Sequence, residues 1–182
     1  MWELQKSVTI DDVEYLINTD YRDILEIISI LNNVNLADRH KAVAALEIFY
    51  QDELPNNIEQ AIKEMYSFIS VGQNSSDDIP SQKVMDWEQD YLSIVTDVNK
   101  VAGYEVRASE YLHWWTFVSY FNGVGEGRLS FLVSLREKLR KGKKLDEYEM
   151  EFYMHNKSKV DLKETFEIKE QAEIDRINSI FT

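Results

Sequence analysis

The chain has no cysteine, which excludes a disulfide framework, a thiolate metal site and a cysteine nucleophile. Two prolines and six glycines are few for 182 residues, so little interrupts helix formation. No stretch approaches the roughly 20 uninterrupted apolar residues that a membrane span needs. The opening MWELQKSVTI also lacks the basic segment and apolar core of a secretion signal, so neither membrane insertion nor secretion is expected. Positive charge is scarce too: 20 Lys and Arg stand against 33 Asp and Glu, a net charge of −13. That balance disfavours nonspecific binding to a nucleic-acid backbone and suits solubility or a basic partner. The deficit lies in the first hundred residues, which carry 19 acids and 7 bases, whereas the remainder is nearly neutral.

What is present is apolar periodicity. Val8 and Ile10, then Asp11-Asp12, then Val13, Tyr15 and Ile17 alternate around a two-residue polar turn, which predicts a β-hairpin over 7–17. Two strands are marginal alone, so the hairpin must lie on helices or pair with another chain. Asn18-Thr19-Asp20 offers cap residues ahead of Ile24, Ile27, Ile28 and Leu31 at helical spacing. A second helix over 36–51 carries Ala42, Ala45, Leu46 and Phe49 on one face. A third over 58–71 carries Ile58, Ala61, Ile62, Met65 and Ile69, with Gly72 as its stop. The polar stretch 72–78, GQNSSDD, is a linker and the candidate for a mobile loop.

Pro80-Ser81 is expected to open a long helix with Val84, Trp87, Tyr91, Val95 and Val98 in register, ending near Gly103, its polar face bearing Asp86, Asp90 and Asp97. LHWWTFVSYFNG at 112–123 is apolar on more than one face and therefore predicts a buried helix. Trp87, Tyr111, Trp114, Trp115, Val118 and Phe121 are assigned to the core. A leucine stripe (Leu129, Leu132, Leu135, Leu139) runs on to Gly142. One more helix follows with Leu145, Tyr148 and Phe152, then a last over 166–181 with Ile174, Ile177 and Phe181 on one face. The fold class is mainly α, a multi-helix bundle with a short N-terminal β-hairpin. Residues 1–140 form the helical core domain, with 141–182 either a charged C-terminal helical extension or part of the same domain.

Several groupings carry chemistry in principle, and each has a plainer reading. Glu110 and His113 have the spacing of one Glu-x-x-His half-motif, but a helical di-metal site needs two, so a packed or cap-adjacent histidine is the commoner case. Asp86 and Asp90 share a helix face, where paired carboxylates can tune each other's pKa, though a solvated acidic face is commoner. His40 and His155 have no nucleophile pattern around them, and NGVGEG at 122–127 follows no strand and precedes no Lys-Ser or Lys-Thr. No catalytic, metal or cofactor site is assigned. Arg136, Lys138, Arg140, Lys141, Lys143 and Lys144 make one basic cluster, followed at once by Asp146, Glu147, Glu149 and Glu151, which favours local pairing over nucleic acid. For partner contact we assign Arg136, Arg140 and Lys141 with Ile174, Ile177 and Phe181.

Three stretches, in this order, resemble a bacteriophage family often called the Gp-fifteen family, encoded among tail-morphogenesis genes of phages and prophages of Gram-positive bacteria. They are the hairpin leading into INTDYRD at 17–23, PSQKVMDWEQD at 80–90, and LHWWTFVSYFNG at 112–123. The resemblance spans roughly 8–140, and the chain departs from it beyond Leu139. It implies a noncatalytic tail-assembly chaperone that binds the phage tape-measure protein and helps tail-tube subunits polymerise around it. Such a protein would act as a homo-oligomer in the host cytoplasm during phage assembly, without nucleic acid or membrane. A structural tail or connector protein retained in the virion is the alternative. An enzyme or metal protein built on Glu110 and His113 and an acidic mimic of nucleic acid are further classes.

Overall fold

In the computed structural model, which describes residues 3–72 and 84–162, the chain begins with the expected hairpin. Strands β1 (Ser7–Ile10) and β2 (Val13–Leu16) pair antiparallel with Ile10 opposite Val13. Asp11 and Asp12 both take positive φ, 51° and 63°, as a two-residue type I′ turn requires. Val8 and Ile10 are buried, whereas Val13 and Leu16 on the outer strand are half exposed. The far end of the hairpin is tied down by Ile17 bridging Tyr50, and the Gln51 N–H donates to the Leu16 carbonyl at 3.1 Å.

Three helices follow, α1 (Tyr21–Asn32), α2 (Asp38–Phe49) and α3 (Ile58–Ile69), where the periodicity puts them. Asp20 caps α1 through its carboxylate and Asn57 caps α3 through its amide oxygen, each relieving an otherwise unpaired first-turn N–H. Their inward faces meet in a core of Ile24, Ile27, Leu46, Phe49, Ile62, Met65 and Phe68, the last two phenylalanine rings 5.6 Å apart. Beyond α3 the Gly72 N–H reaches the Ser67 carbonyl and the Val71 N–H reaches Phe68, the paired bonds of a Schellman ending. Glycine normally fills the left-handed position of that motif, yet here it falls one residue late and Val71 holds φ 57°. A β-branched residue is strained there. Val71→Gly is therefore expected to stabilise the protein by about 1 kcal/mol, less some backbone entropy, as a higher urea midpoint at unchanged slope.

The described residues divide into two units, 3–72 with 111–116, and 84–110 with 117–162. The second contains α4 (Tyr91–Ala102), a 3-10 turn at Val106–Ala108, most of α5 (Trp114–Asn122), α6 (Arg128–Arg140) and α7 (Glu147–Val160). Its core gathers Ile94, Val98, Val106, Phe117, Leu129, Leu132, Leu135, Leu145 and Val160. Residues 141–162, expected to begin an extension, carry α7, which packs on α6 through Leu135, Leu145 and Val160 with Phe131 and Phe152 against them. Asp146 and Glu149 form a reciprocal capping box that starts α7. Gly142, at φ 63°, supplies for α6 the left-handed ending that Val71 supplies under strain for α3.

The long helix expected from Pro80 is shorter. Residues 80–83 lie outside the described residues, 84–86 have no regular structure, 87–90 form a turn, and α4 begins only at Tyr91. The reason lies in the aspartates: the Asp86 carboxylate accepts from the N–H groups of Glu88 and Gln89, and Asp90 accepts from the Asp86 N–H. These side chains give the backbone an alternative to helical bonding. Tyr91, expected on the inner face, is half exposed; Val98 faces inward as expected, joined by Ile94 and Asp97. Linker residues 73–78 and the final helix expected over 166–181 also lie outside the described residues.

Candidate partner-binding surface

The aromatic stretch is built into the first unit before it becomes a helix. Residues 111–114 run beside 19–21 as a short antiparallel clip, the Tyr21 N–H donating to the Leu112 carbonyl at 2.9 Å and the Trp114 N–H to the Thr19 carbonyl at 2.7 Å. Asp20 accepts the Leu112 N–H with the oxygen that its cap leaves over. Both tryptophans then reach the end of α3: the Trp114 indole N–H donates to the Ile69 carbonyl and the Trp115 indole N–H to the Phe68 carbonyl, each at 2.9 Å. Both carbonyls belong to the last turn of a helix, where the i+4 donors run out; the Phe68 carbonyl takes the Trp115 indole beside the Val71 N–H of the helix ending. Trp114 is buried, and Trp115 is half-buried and stacked on Phe68 at 5.5 Å. Among the other residues assigned to the core, Trp87, Val118 and Phe121 are half-buried, with the Trp87 ring 5.0 Å from Phe121. Tyr111 is a correction: it is 54% exposed, because its hydroxyl hydrogen-bonds Thr19 Oγ1 at 2.7 Å in the clip, just ahead of the helix.

His113 is packed and cap-adjacent. Its Nδ1 accepts the Trp115 N–H, which leaves Nε2 protonated and donating to the Gln5 carbonyl at 2.8 Å. Burial, and secondarily the charge of Lys6, hold its pKa below the ordinary imidazole value, against the Gln5 hydrogen bond. Glu110 is exposed, and no group of three His, Asp or Glu able to hold a metal occurs among the described residues. A depressed imidazole pKa means that the unfolded chain takes up the proton first as pH falls. Stability contributed by His113 is thus complete above about pH 6.5 and lost below it. The thermal midpoint is expected to fall in the wild type as the pH drops below about 6.5, and to fall less in His113→Asn, as followed by circular dichroism.

Of the three aspartates expected on the polar face of the helix, Asp90 and Asp97 are buried, and each does a structural task. Arg136 makes a bidentate pair with Asp90 at 2.6 and 2.8 Å. Its other three N–H groups go to the carbonyls of Val84, Lys159 and Val160. All five donors of the guanidinium are satisfied inside the second unit. Asp97 reaches from α4 to the start of α6, where its Oδ2 accepts the Leu129 N–H at 2.8 Å and its Oδ1 pairs with Lys100. The N-cap residue of α6 is Gly127, which has no side chain to offer, and a Cβ there would lie 2.4 Å from Asp97 Oδ2. The third glycine of NGVGEG therefore admits a capping carboxylate from another helix, which a phosphate-loop comparison could not reveal.

Of the residues assigned to partner contact, Arg136 is thus internal to the second unit. Arg140 and Lys141 both pair with Glu137, which holds that carboxyl below its usual range. Lys138 pairs with Glu149. Ile174, Ile177 and Phe181 lie outside the described residues. The basic cluster is largely used locally, and the structure brings other residues together as a surface.

That surface is a groove of about 700 Å³ walled by α4, α6 and α7. Phe131 and Leu132 of α6 and Phe152 of α7 form an apolar floor, with the Phe131 and Phe152 rings edge to face at 5.0 Å. Tyr148 and Leu92 stand on the rim, 66% and 57% exposed. Exposed large apolar side chains beside a concave apolar floor are the usual mark of a binding surface. Lys100, Arg128 and Lys159 supply the charge of the lining. Its sole carboxylate, Asp90, is consumed by Arg136. Sequence reasoning missed this site because its walls come from three separate segments; the one available signal was α7, whose Tyr148, Met150, Phe152 and Met154 are apolar on several sides.

No helix among the described residues is long and apolar enough to cross a membrane. No curated protein and no solved structure matches the chain. The family model described as Bacteriophage Gp15 protein matches residues 2–162, which takes in the hairpin, the clip, the aromatic helix and all three walls of the groove. That family is one of phage structural and morphogenesis proteins. The chain belongs to the bacteriophage Gp15 family.

Proposed function

We propose that this protein is a noncatalytic tail-assembly chaperone that binds the tape-measure protein and assists polymerisation of the tail tube, acting as a homo-oligomer in the host cytoplasm during phage assembly. The observation that carries the proposal is the family match over residues 2–162, joined to an apolar groove with exposed aromatic rims. A long amphipathic helical protein exposes apolar surface until the tube encloses it, and a groove between helices is the natural receptor for such a surface. The chain's −13 charge would keep a complex of this kind in solution. The buried His113, Asp90 and Asp97 are committed to hydrogen bonds within their own units.

Coexpression with the tape-measure and tail-tube proteins of the same phage genome tests the proposal. A stable complex with the tape-measure protein is expected, together with absence from purified virions. Stoichiometric retention in the particle would instead identify a structural tail or connector protein.

A further inference from the structure

We propose that the groove between α4, α6 and α7 is the docking site for an amphipathic helix whose apolar stripe is flanked by carboxylates. The identity of the natural helix rests on the chaperone reading, whereas its chemistry rests on the groove alone. The apolar part of the recognition comes from the Phe131, Leu132 and Phe152 floor, with Tyr148 and Leu92 standing above it as exposed anchors. Spaced apolar residues on one helix face can fill such a floor at i, i+3, i+4 and i+7.

Charge decides the flanks. Arg128 and Lys159 line the groove, and neither is in an ion pair among the described residues, while Lys100 shares its charge with Asp97. The lining is therefore cationic on a chain of net charge −13. At physiological ionic strength, charges are screened beyond about 8 Å, so a docked helix feels chiefly Arg128 and Lys159 rather than the acidity of the whole chain. Carboxylates beside the apolar stripe fit these two cations, and lysines there would be repelled. Arg128 begins α6 and Lys159 lies in the last turn of α7, so the cations are carried on different walls and can meet both flanks of one helix.

The test is fluorescence anisotropy with a labelled synthetic helix of about six turns, bearing leucines at i, i+4, i+7 and i+11 and glutamates beside them. Two control peptides replace the glutamates with lysine, or the leucines with serine. The acidic peptide is expected to bind the full chain, more weakly as salt rises, and at least about tenfold better than either control. The double variant Arg128→Glu/Lys159→Glu should lose about tenfold for the acidic peptide and gain for the lysine peptide. Tyr148→Ala should weaken both without that reversal. All these side chains are exposed, and circular dichroism confirms that the variants fold.

Equal binding of acidic and basic peptides, no binding, or no exchange of preference in the charge-reversed variant overturns the proposal. So does a self-associated wild type that becomes monomeric in Tyr148→Ala, because a second copy would then occupy the groove. Coexpression separates this inference from the chaperone reading. If the wild type binds the acidic peptide and fails to retain the tape-measure protein, the groove chemistry stands and the chaperone reading falls. If wild type and charge-reversed variant retain the tape-measure protein equally, the groove falls and the chaperone reading stands.

Discussion

Arg136→Ala is expected to destabilise the protein by about 3–5 kcal/mol, because it leaves the Asp90 carboxylate buried without its counter-charge. Asp90 is 2% exposed, and the pair is bidentate at 2.6 and 2.8 Å. The carbonyls of Val84, Lys159 and Val160 would lose their donors in the same step. Unpaired buried acceptors cost roughly 1–3 kcal/mol each where water does not enter, so the upper part of the range is reasonable. A matched apolar pair separates the effect of breaking the bridge from the value of having one. Arg136→Met with Asp90→Leu should recover much of the loss, since a buried ion pair contributes little over a well-packed apolar replacement. Urea denaturation of the wild type, the single variant and the double variant decides it. A single variant within about 0.5 kcal/mol of wild type would show that Arg136 is solvated in solution.

The contrast between what the sequence showed and what it hid follows from the range of the interactions. The hairpin was visible because two aspartates between alternating apolar residues are a local turn signal. Helices α1, α2 and α3 were visible because Ile24 to Leu31, Ala42 to Phe49 and Ala61 to Met65 repeat at helical spacing. The start of α4 was not, since Trp87 fits a helical stripe while Asp86 and Asp90 turn the backbone another way. Asp90 and Arg136 are 46 residues apart, and no local pattern announces that pairing. Asp97 and Gly127 present the same difficulty: each looks ordinary until one is seen to occupy the space the other lacks. One signal was local and went unused, the Asp146 and Glu149 capping box that opens α7. The groove needed all three helices in place before Phe131, Tyr148 and Phe152 could be recognised as one surface.

Trp114→Ala is expected to lose about 3–5 kcal/mol, the range for emptying a buried aromatic site. The ring is 2% exposed, so its removal leaves a cavity and also strips a donor from the Ile69 carbonyl at the end of α3. Trp114→Phe divides these contributions: it retains most of the apolar volume, discards the indole N–H, and should lose a smaller amount that includes about 1 kcal/mol for the hydrogen bond. Trp115→Ala should lose less than Trp114→Ala, since its ring is half-buried, but Trp115→Phe should lose a similar hydrogen bond to the Phe68 carbonyl. The two indoles serve adjacent carbonyls of one helix end, so the double Phe variant need not be additive, and a coupling of about 0.5 kcal/mol or more would show that they act as one clamp. Neighbouring tryptophans on a helix ordinarily project in different directions. Here both indoles reach adjacent carbonyls at the end of α3, with His113 holding the Trp115 N–H. Denaturation of the four single variants and the double variant measures these terms. If both alanine variants keep wild-type stability and lose the tape-measure complex, the tryptophans are contacts for a partner and the clamp on α3 is not what they are for.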